Sequence, residues 1–460
     1  MTLNEYIDNL RGKRVAVVGI GVSNTPLIEC LLAGGCSVTA CDRRTREQLG
    51  EAAARLESMG AVLRLGPDYL RDLDFDVIFR TPGVHPYKPE LMAARERGCI
   101  ITSEMEAFFS LCPCRTIAVT GSDGKTTTCS IIAELLKAEG YKVHLGGNIG
   151  KPLLTEIPNI APEDIVVLEL SSFQLHSMKC RPNVAVITNI SPNHLDVHPD
   201  FEDYVNAKKR IFLEQEDDNT LVLNLDNNIT AGFAGESRAK VRFFSRRESM
   251  ENGVFSRDGM IYLSRYYQVS SIIPETEILL PGVHNIENYM AAFAATEGLV
   301  STRVCRRVAR TYGGVAHRLE VIRKLRGVTY CNDSIATSPT RTIAGLRSFT
   351  TKPILIAGGY DKNIPFDELA REIVRRVKAL ILTGDTAQKI KAAVEADLEY
   401  EPFKLPITVC EDFGEAVLTA HEAAEEGDIV LLSPACSSFD KFRNFAHRGD
   451  VFREIVLRLE

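Results

Sequence analysis

The chain has 460 residues, too many for one hydrophobic core, so two or three domains are expected. Hydrophobic residues make up 45% and charged residues 25%, the balance of an ordinary globular protein. A net charge of −7 without acidic or basic blocks argues against nucleic acid or a membrane surface as partner, while local basic positions still admit small anionic ligands.

The N-terminus runs directly into a strand pattern and carries no secretory signal. No apolar run approaches the roughly 20 residues that span a bilayer, so no membrane insertion is expected. The twelve cysteines are scattered, with no C-x-x-C pair; Cys112 and Cys114 stand closest, a weak metal or redox signal. Cys41, Cys331 and Cys410 sit in apolar runs, where cysteine behaves as a small buried hydrophobe. A cytoplasmic chain with reduced thiols is expected.

In chain order, "VAVVGIG" (15–21), "SVTACD" (37–42) and "VIFRTPG" (77–83) read as strands, with helical spacing in segments such as "NTPLIECLLAGG" between them. This alternation predicts parallel sheet with crossover helices. A second series runs through "TIAVTGSDGK", "DIVVLELSS" and "VAVITNIS". Near 220–280, "LVLNLD", "VRFFS" and "GMIYLSRYYQVSSII" read as a small antiparallel excursion. A third series follows "GGVAHRLEVI", with "VTYCNDS", "PILIAGGYD", "ALILTGD" and "DIVLLSPAC" as strands. The fold class is therefore α/β, with boundaries near 103 and 314 and Gly313-Gly314 as a candidate hinge.

The stretch "AVTGSDGKTTT" (118–128) ends a strand and opens an amphipathic helix, the context in which backbone N–H groups point at a phosphate. It lacks the glycine six residues before the lysine, where Val119 stands. Lys125 would lie against the β/γ-phosphates and Thr126 would reach magnesium; the alternative is a tight turn with a solvated lysine. Downstream, Glu169 near the end of its strand is a hard oxygen donor for magnesium or, equally, a salt-bridged edge acid. His194, Asp196 and His198 cluster at the next strand end, where a role is favoured for His194 and none for His198. The N-terminal "GIGVSN", with Asp42 ending the next strand, is an incomplete dinucleotide fingerprint, because Asn24 stands where a small residue is usual.

Together these stretches resemble the Mur ligases, ATP-dependent amide-forming enzymes of peptidoglycan synthesis, whose short G-x-x-G-K-[ST] loop makes Val119 ordinary. "VLELSSFQL", "GGNIG", "HRLE", "NDS" and "LLSPACSSFDKFRNFAHRG" are similar to the D-glutamate-adding branch. The resemblance implies an N-terminal Rossmann-like domain for a UDP-sugar (1–103), a central P-loop-type ATPase domain (104–314) and a C-terminal Rossmann-like domain for D-glutamate (315–460). It implies ATP, UDP-N-acetylmuramoyl-L-alanine and D-glutamate as ligands, two magnesium ions, and a monomer.

On the same ground, Gly121, Ser122, Asp123, Gly124, Lys125, Thr126 and Thr127 hold the ATP phosphates, with Asn285, Asn288, Arg318 and Asp333 elsewhere around the nucleotide. Thr126 and Glu169 bind one magnesium and His194 a second, with Lys208 carbamylated as a further oxygen ligand. Lys125, His194, Lys208 and Arg318 are the candidate catalytic set. Val22, Ser23, Arg43, Arg44, Thr81, Pro82 and Gly83 fall where UDP is held, and Asn148, Ser171 and Gln174 around the sugar and reacting carboxylate. Thr337, Lys362, Ser438 and Phe445 match the D-glutamate pocket. Three positions depart from the family pattern: Ile335 replaces a common lysine, whose charge is sought at Arg341; Arg43 replaces a small hydroxyl residue; Asp123 replaces a frequent asparagine.

The implied chemistry is carboxylate activation by ATP to an acyl phosphate, then attack by the D-glutamate amine. The competing readings are an NAD-dependent oxidoreductase built on "GIGVSN", a non-catalytic nucleotide-sugar-binding protein, and a folylpolyglutamate synthase-like ligase.

Overall fold

The computed structural model describes residues 1–193, 197–362 and 364–460, and among them the strands form three sheets. The first contains β1 (Val15–Val18), β2 (Val38–Asp42), β3 (Val62–Leu65), β4 (Val77–Arg80) and β5 (Ile100–Thr102). All are parallel, in the order β3-β2-β1-β4-β5. The order reverses direction beside β1, so a crevice opens at the carboxyl ends of β1 and β4. The chain enters through a short helix, Leu3–Asp8, and not directly into β1. Thr2 and Glu5 form a capping box there, a local signal that outweighs the strand pattern following it.

The second sheet contains β6 (Arg115–Thr120), β7 (Val143–Gly147), β8 (Ile165–Glu169), β9 (Val184–Ile187), β10 (Thr220–Asn224), β11 (Lys240–Ser245), β12 (Gly253–Arg257), β13 (Met260–Arg265) and β14 (Gln268–Pro274). Its order is β14-β13-β12-β11-β10-β9-β6-β8-β7. The antiparallel excursion expected for 220–280 is confined to β12–β14; β10 and β11 extend the parallel sheet, and β12 joins β11 in parallel. The helix Asn228–Gly232 and its following turn supply the crossover between β10 and β11 that a parallel pair requires. Strands β8 and β9 are buried at every position, as strands covered on both faces must be.

The third sheet contains β15 (Glu320–Leu325), β16 (Val328–Asn332), β17 (Ile354–Ala357), β18 (Ala379–Leu382), β19 (Ile407–Val409) and β20 (Ile429–Leu432). Its order is β15-β16-β20-β17-β18-β19, with only β15 antiparallel.

The chain divides into two compact units. The first, Met1–Glu275 with Glu287–Val308, carries the first two sheets over one continuous apolar core that runs from Leu3 and Phe108 to Leu168 and Ile211. The second, Thr276–Ile286 with Ala309–Glu460, carries the third sheet between two apolar layers. All twelve cysteines are free, ten of them raised in pKa chiefly by burial. No described helix is long and apolar enough to cross a membrane.

Candidate active site

In the first unit, β6 delivers the chain to a turn that only glycine can make. Gly121 has φ 150° and Gly124 φ 77°. A Cβ on Gly121 would overlap the Thr188 hydroxyl, and one on Gly124 the Asn288 carboxamide. Gly124 is the N-cap of the helix Lys125–Glu139, so the first free N–H groups of that helix lie at the carboxyl end of a parallel sheet, an anion-binding position. The Lys125 amine donates to the carbonyls of Gly121 at 3.0 Å and Ser122 at 2.8 Å, closing over the loop. Thr127 is half-buried on the first turn.

The Thr126 hydroxyl donates to Glu169 Oε2 at 2.6 Å, and Asn148 Nδ2 donates to Oε1 of the same carboxylate at 2.7 Å. Glu169 ends β8 and is buried. Gly147, at φ 95°, lets β7 approach so closely that a Cβ would overlap the Glu169 carbonyl. Magnesium takes hard oxygens at about 2.1 Å, so adjacent ligands of an octahedral ion stand roughly 3 Å apart. The Thr126–Glu169 oxygen pair fits that requirement after a small opening.

Lys208 is 1% exposed on the helix Phe201–Lys209. Its amine donates to the Gly121 carbonyl at 2.7 Å and lies over the Tyr204 ring at 4.7 Å. Burial, with the Lys125 charge adding to it, pulls its pKa down to about 7. An amine held near neutrality is the form that reacts with CO2. The surface-lysine alternative is excluded for Lys208 by its burial, while its neighbour Lys209 pairs with Glu236 at 2.7 Å.

Tyr204 Oη and Ser122 Oγ are 2.9 Å apart, and the Ser122 hydroxyl also donates to the Ser191 carbonyl at 2.9 Å. Asp123 is exposed, which is how its charge is accommodated so near the loop. Its backbone is fixed instead: its N–H donates to Asn189 Oδ1 at 3.0 Å, and its carbonyl accepts from the Thr188 hydroxyl at 2.6 Å. His194 and Asp196 lie outside the described residues. His198, for which no role was expected, is buried, with Nδ1 2.6 Å from Asp203 and Nε2 3.0 Å from the Ser172 hydroxyl.

At the first sheet, Asn24 resolves the incomplete fingerprint. It is 3% exposed, and its amide donates to the carbonyls of Gly19 at 2.9 Å and Val18 at 3.3 Å. Asn24 thus ties the loop to its own helix where a small residue would merely let the two pack. Asp42 accepts from the Ile20 N–H at 2.7 Å and from both sides of the Arg44 guanidinium, at 3.0 and 2.9 Å. Arg44 also reaches the Ile20 carbonyl. Val22 and Arg43 are exposed, and Ser23 begins the helix Asn24–Ala33. Thr81 lies against Gly19, whose φ is 94° and whose Cβ would overlap the threonine methyl. The structure therefore brings Val22, Ser23, Arg44 and Thr81–Gly83 to one end of the sheet. Ser171 and Gln174 form a capping box that starts the helix Ser172–Leu175.

Arg80 went unnoticed in the sequence, although a charge inside "VIFRT" is a signal. It is 2% exposed, and its guanidinium donates to the carbonyls of Thr81 at 3.1 Å and Val84 at 2.5 Å, and to Ser177 Oγ at 3.0 Å. It thereby ties the loop after β4 to the second sheet. Burial holds its pKa down to about 10.

In the second unit, Asp333 is buried after β16, accepting from Ser433 Oγ at 2.8 Å and the Leu319 N–H at 3.3 Å. Burial outweighs those donors and pushes its pKa up to about 7. Arg318 is exposed in a turn whose neighbours His317 and Leu319 have φ 61° and 44°. Asn285 donates to the Pro281 carbonyl at 2.7 Å, three positions before Asn288 on the helix Val283–Ala295. The Lys362 amine donates to the Thr337 carbonyl at 3.2 Å, so these two D-glutamate candidates are adjacent. Arg341 donates to the Ile335 carbonyl at 3.1 Å, placing a guanidinium where the absent lysine was sought.

A second missed arginine, Arg448, is buried and donates to the carbonyls of Ser334, Cys436 and Ser437 at 3.0, 3.0 and 3.1 Å. It joins the turn after Asp333 to the segment carrying Ser438. Ser438 is buried, and its carbonyl accepts from the Phe442 N–H at 2.8 Å. Phe445 receives the Ser334 hydroxyl on its carbonyl at 2.7 Å.

Residues 119–296 match the family described as Mur ligase middle domain, and residues 317–436 the one described as Mur ligase, glutamate ligase domain. Over its full length the chain is 50% identical to the UDP-N-acetylmuramoylalanine–D-glutamate ligase of Acetivibrio thermocellus, covering 99% of that protein. The chain belongs to the Mur ligase family. This Mur ligase is also 49% identical to the enzyme of the same name from Ruminiclostridium cellulolyticum, again over 100% of the chain and 99% of the relative. Among solved structures, its fold is similar to a UDP-N-acetylmuramoyl-L-alanyl-D-glutamate–2,6-diaminopimelate ligase, with TM-score 0.54 at 19% identity, covering 93% of this chain and 87% of that one. A MurF ligase from Thermotoga maritima in complex with ADP gives TM-score 0.50 at 17% identity, covering 98% and 97%. As a Mur ligase, the chain is a ligase of peptidoglycan precursor synthesis.

Proposed function

We propose that this Mur ligase joins D-glutamate to UDP-N-acetylmuramoyl-L-alanine with ATP, through an acyl phosphate, in the cytoplasm. The supporting observation is the convergence of Lys125, Thr126, Glu169 and Lys208 on one short glycine loop. The choice of amino acid is supported by the name that the full-length relatives carry.

A carboxylate is a poor electrophile, so phosphoryl transfer first converts it into an acyl phosphate. The D-glutamate amine then attacks, and a tetrahedral intermediate collapses to amide and phosphate. The loop amides of Gly121–Thr127 bind the phosphates, and Lys125 offsets charge on the transferring group. Thr126, Glu169 and carbamylated Lys208 are the oxygen donors that would hold magnesium, which when bound supplies further charge neutralisation. The roles of Asn285, Asn288, Arg318 and Asp333 toward ATP rest on the family resemblance, as do those of His194, of the UDP-sugar residues, and of Thr337, Lys362, Ser438 and Phe445 toward D-glutamate. The domain limits 1–103, 104–314 and 315–460 are proposed on the same ground.

Phosphate release from ATP with UDP-N-acetylmuramoyl-L-alanine, compared across D-glutamate, L-glutamate, lysine and diaminopimelate, tests the assignment. Release should require D-glutamate; equal release with every amino acid would refute it.

A further inference from the structure

A second group of metal-ligating side chains uses none of the residues assigned to ATP, magnesium or the UDP-sugar. His85 stands in the loop after β4, His176 follows the helix Ser172–Leu175, and Asp203 lies on the first turn of the helix Phe201–Lys209. One ligand atom from each of the three lies within 4.8 Å of the others.

Two imidazole nitrogens here are buried without a hydrogen-bond partner. His176 is 4% exposed, and its Nε2 lies 2.9 and 2.8 Å from the two oxygens of Asp203 while its Nδ1 has none. His85 Nδ1 accepts from the Tyr87 N–H at 3.3 Å, leaving Nε2 enclosed and unpaired. Buried polar atoms are nearly always satisfied. An ion held by His85 Nε2, His176 Nε2 and Asp203 would satisfy the His85 orphan, whereas His176 Nδ1 points away from Asp203 and stays outside the ligand set. Burial, the leading cause in both, lowers the pKa of His85 and of His176 and favours the neutral imidazole that ligates metals.

The surroundings supply the supporting layer such a site needs. His198 Nδ1 lies 2.6 Å from Asp203 Oδ2, and its Nε2 lies 3.0 Å from the Ser172 hydroxyl. His198 also stacks on Phe173, with ring centroids 5.5 Å apart and planes at 13°. The carboxylate orientation is thereby held by a residue that does not itself complete the ligand set.

We propose that His85, His176 and Asp203 form a zinc site that fastens the loop after β4 to the two helices of the second sheet. Two imidazoles and one carboxylate are a zinc-type donor set, with a fourth position left for water. Ligands of a tetrahedral zinc stand about 3.3 Å apart, so the group closes by roughly 1.5 Å at most on binding. His85 makes that movement, being half-buried and held by its 3.3 Å bond to Tyr87 and by ring contacts with Tyr87 and His176. Asp203 exchanges its hydrogen bond from His176 for the ion and keeps the one from His198. The site depends on no assumption about substrate or nucleotide.

Titration calorimetry of the full chain with zinc chloride, without nucleotide, is the test, repeated with cobalt(II) and read by visible absorption. The wild type should take up one zinc equivalent, and His85→Phe and Asp203→Asn should each weaken binding at least tenfold. His85→Phe keeps the ring and its packing, so its zinc-free melting curve should match the wild type even if Asp203→Asn folds poorly. The cobalt form should show tetrahedral d–d bands without a thiolate charge-transfer band. Absence of zinc uptake by the wild type, unchanged affinity in a folded His85→Phe, or a thiolate band abolished by Cys112→Ser would each overturn the proposal.

Discussion

The Thr126 hydroxyl donates to the Glu169 carboxylate across 2.6 Å, joining the first turn after the phosphate loop to the last residue of β8. Neither residue is placed by its own neighbours in sequence. Adjacent parallel strands bring them together, since β6 and β8 pair in register from Arg115↔Ile165 to Val119↔Glu169. The pairing places an acid beside the glycine loop whatever the intervening chain does.

Glu169→Gln keeps the shape and the hydrogen bond from Asn148 but removes the negative charge. It should lower kcat for phosphate release by about 100-fold or more, roughly 2.7 kcal/mol of transition-state stabilisation. The magnesium concentration giving half-maximal rate should rise at the same time. Steady-state kinetics across a magnesium series reads both effects, and an unchanged magnesium dependence would remove Glu169 from the metal set.

Lys208→Ala deletes the buried amine that rests on the Gly121 carbonyl. Activity should fall by two or more orders of magnitude and return in part with acetate or another short carboxylate, which replaces the oxygen donor of the carbamate. Full activity of the variant without additives would mean that the carbamate has no part in the reaction.

Gly124→Ala introduces a side chain at φ 77° and against the Asn288 carboxamide. The strain of a non-glycine residue there is of order 1–3 kcal/mol, and the clash adds to it. Chemical denaturation should show a loss of about that size, with ATP binding weakened as well. Wild-type stability together with wild-type ATP affinity would show the loop to be more adaptable than its φ implies.

Asp333 supplies a pH dependence. Its carboxyl is raised from 3.8 to about 7, chiefly by burial. Between those values the folded chain keeps a proton that the unfolded chain releases, so this residue's contribution makes stability fall as pH rises from about 4 to about 7. The fall is at most roughly 1.4 kcal/mol for each step of one in pH across that window. Urea unfolding of the wild type and Asp333→Asn at pH 5 and pH 8 isolates the effect. The variant should lose less stability than the wild type between the two, and equal losses would show that Asp333 ionises normally.

Much of this was legible in the sequence because it is local. The strand–glycine–helix pattern around Lys125 marked the phosphate loop, and alternating apolar and amphipathic runs marked the three sheets. What escaped reading depends on contacts between distant segments. Arg80 and Arg448 act through carbonyls from separate loops, for which a sequence carries no pattern beyond a charge in an apolar setting. His198 read as a turn residue because its partners, Asp203 and Ser172, meet it only in the folded chain. The 220–245 strands read as antiparallel because the crossover helix between them is a single short turn. Asn24 read as a defect in a glycine motif, whereas its amide makes the two bonds that hold that loop.

The most direct test of the central claim follows the oxygen atoms. UDP-N-acetylmuramoyl-L-alanine labelled with oxygen-18 in its carboxylate should, on turnover with ATP and D-glutamate, pass one labelled oxygen to the phosphate released, because the acyl phosphate breaks between the acyl carbon and that oxygen. Phosphate free of label, formed together with the amide product, would contradict carboxylate activation by phosphoryl transfer.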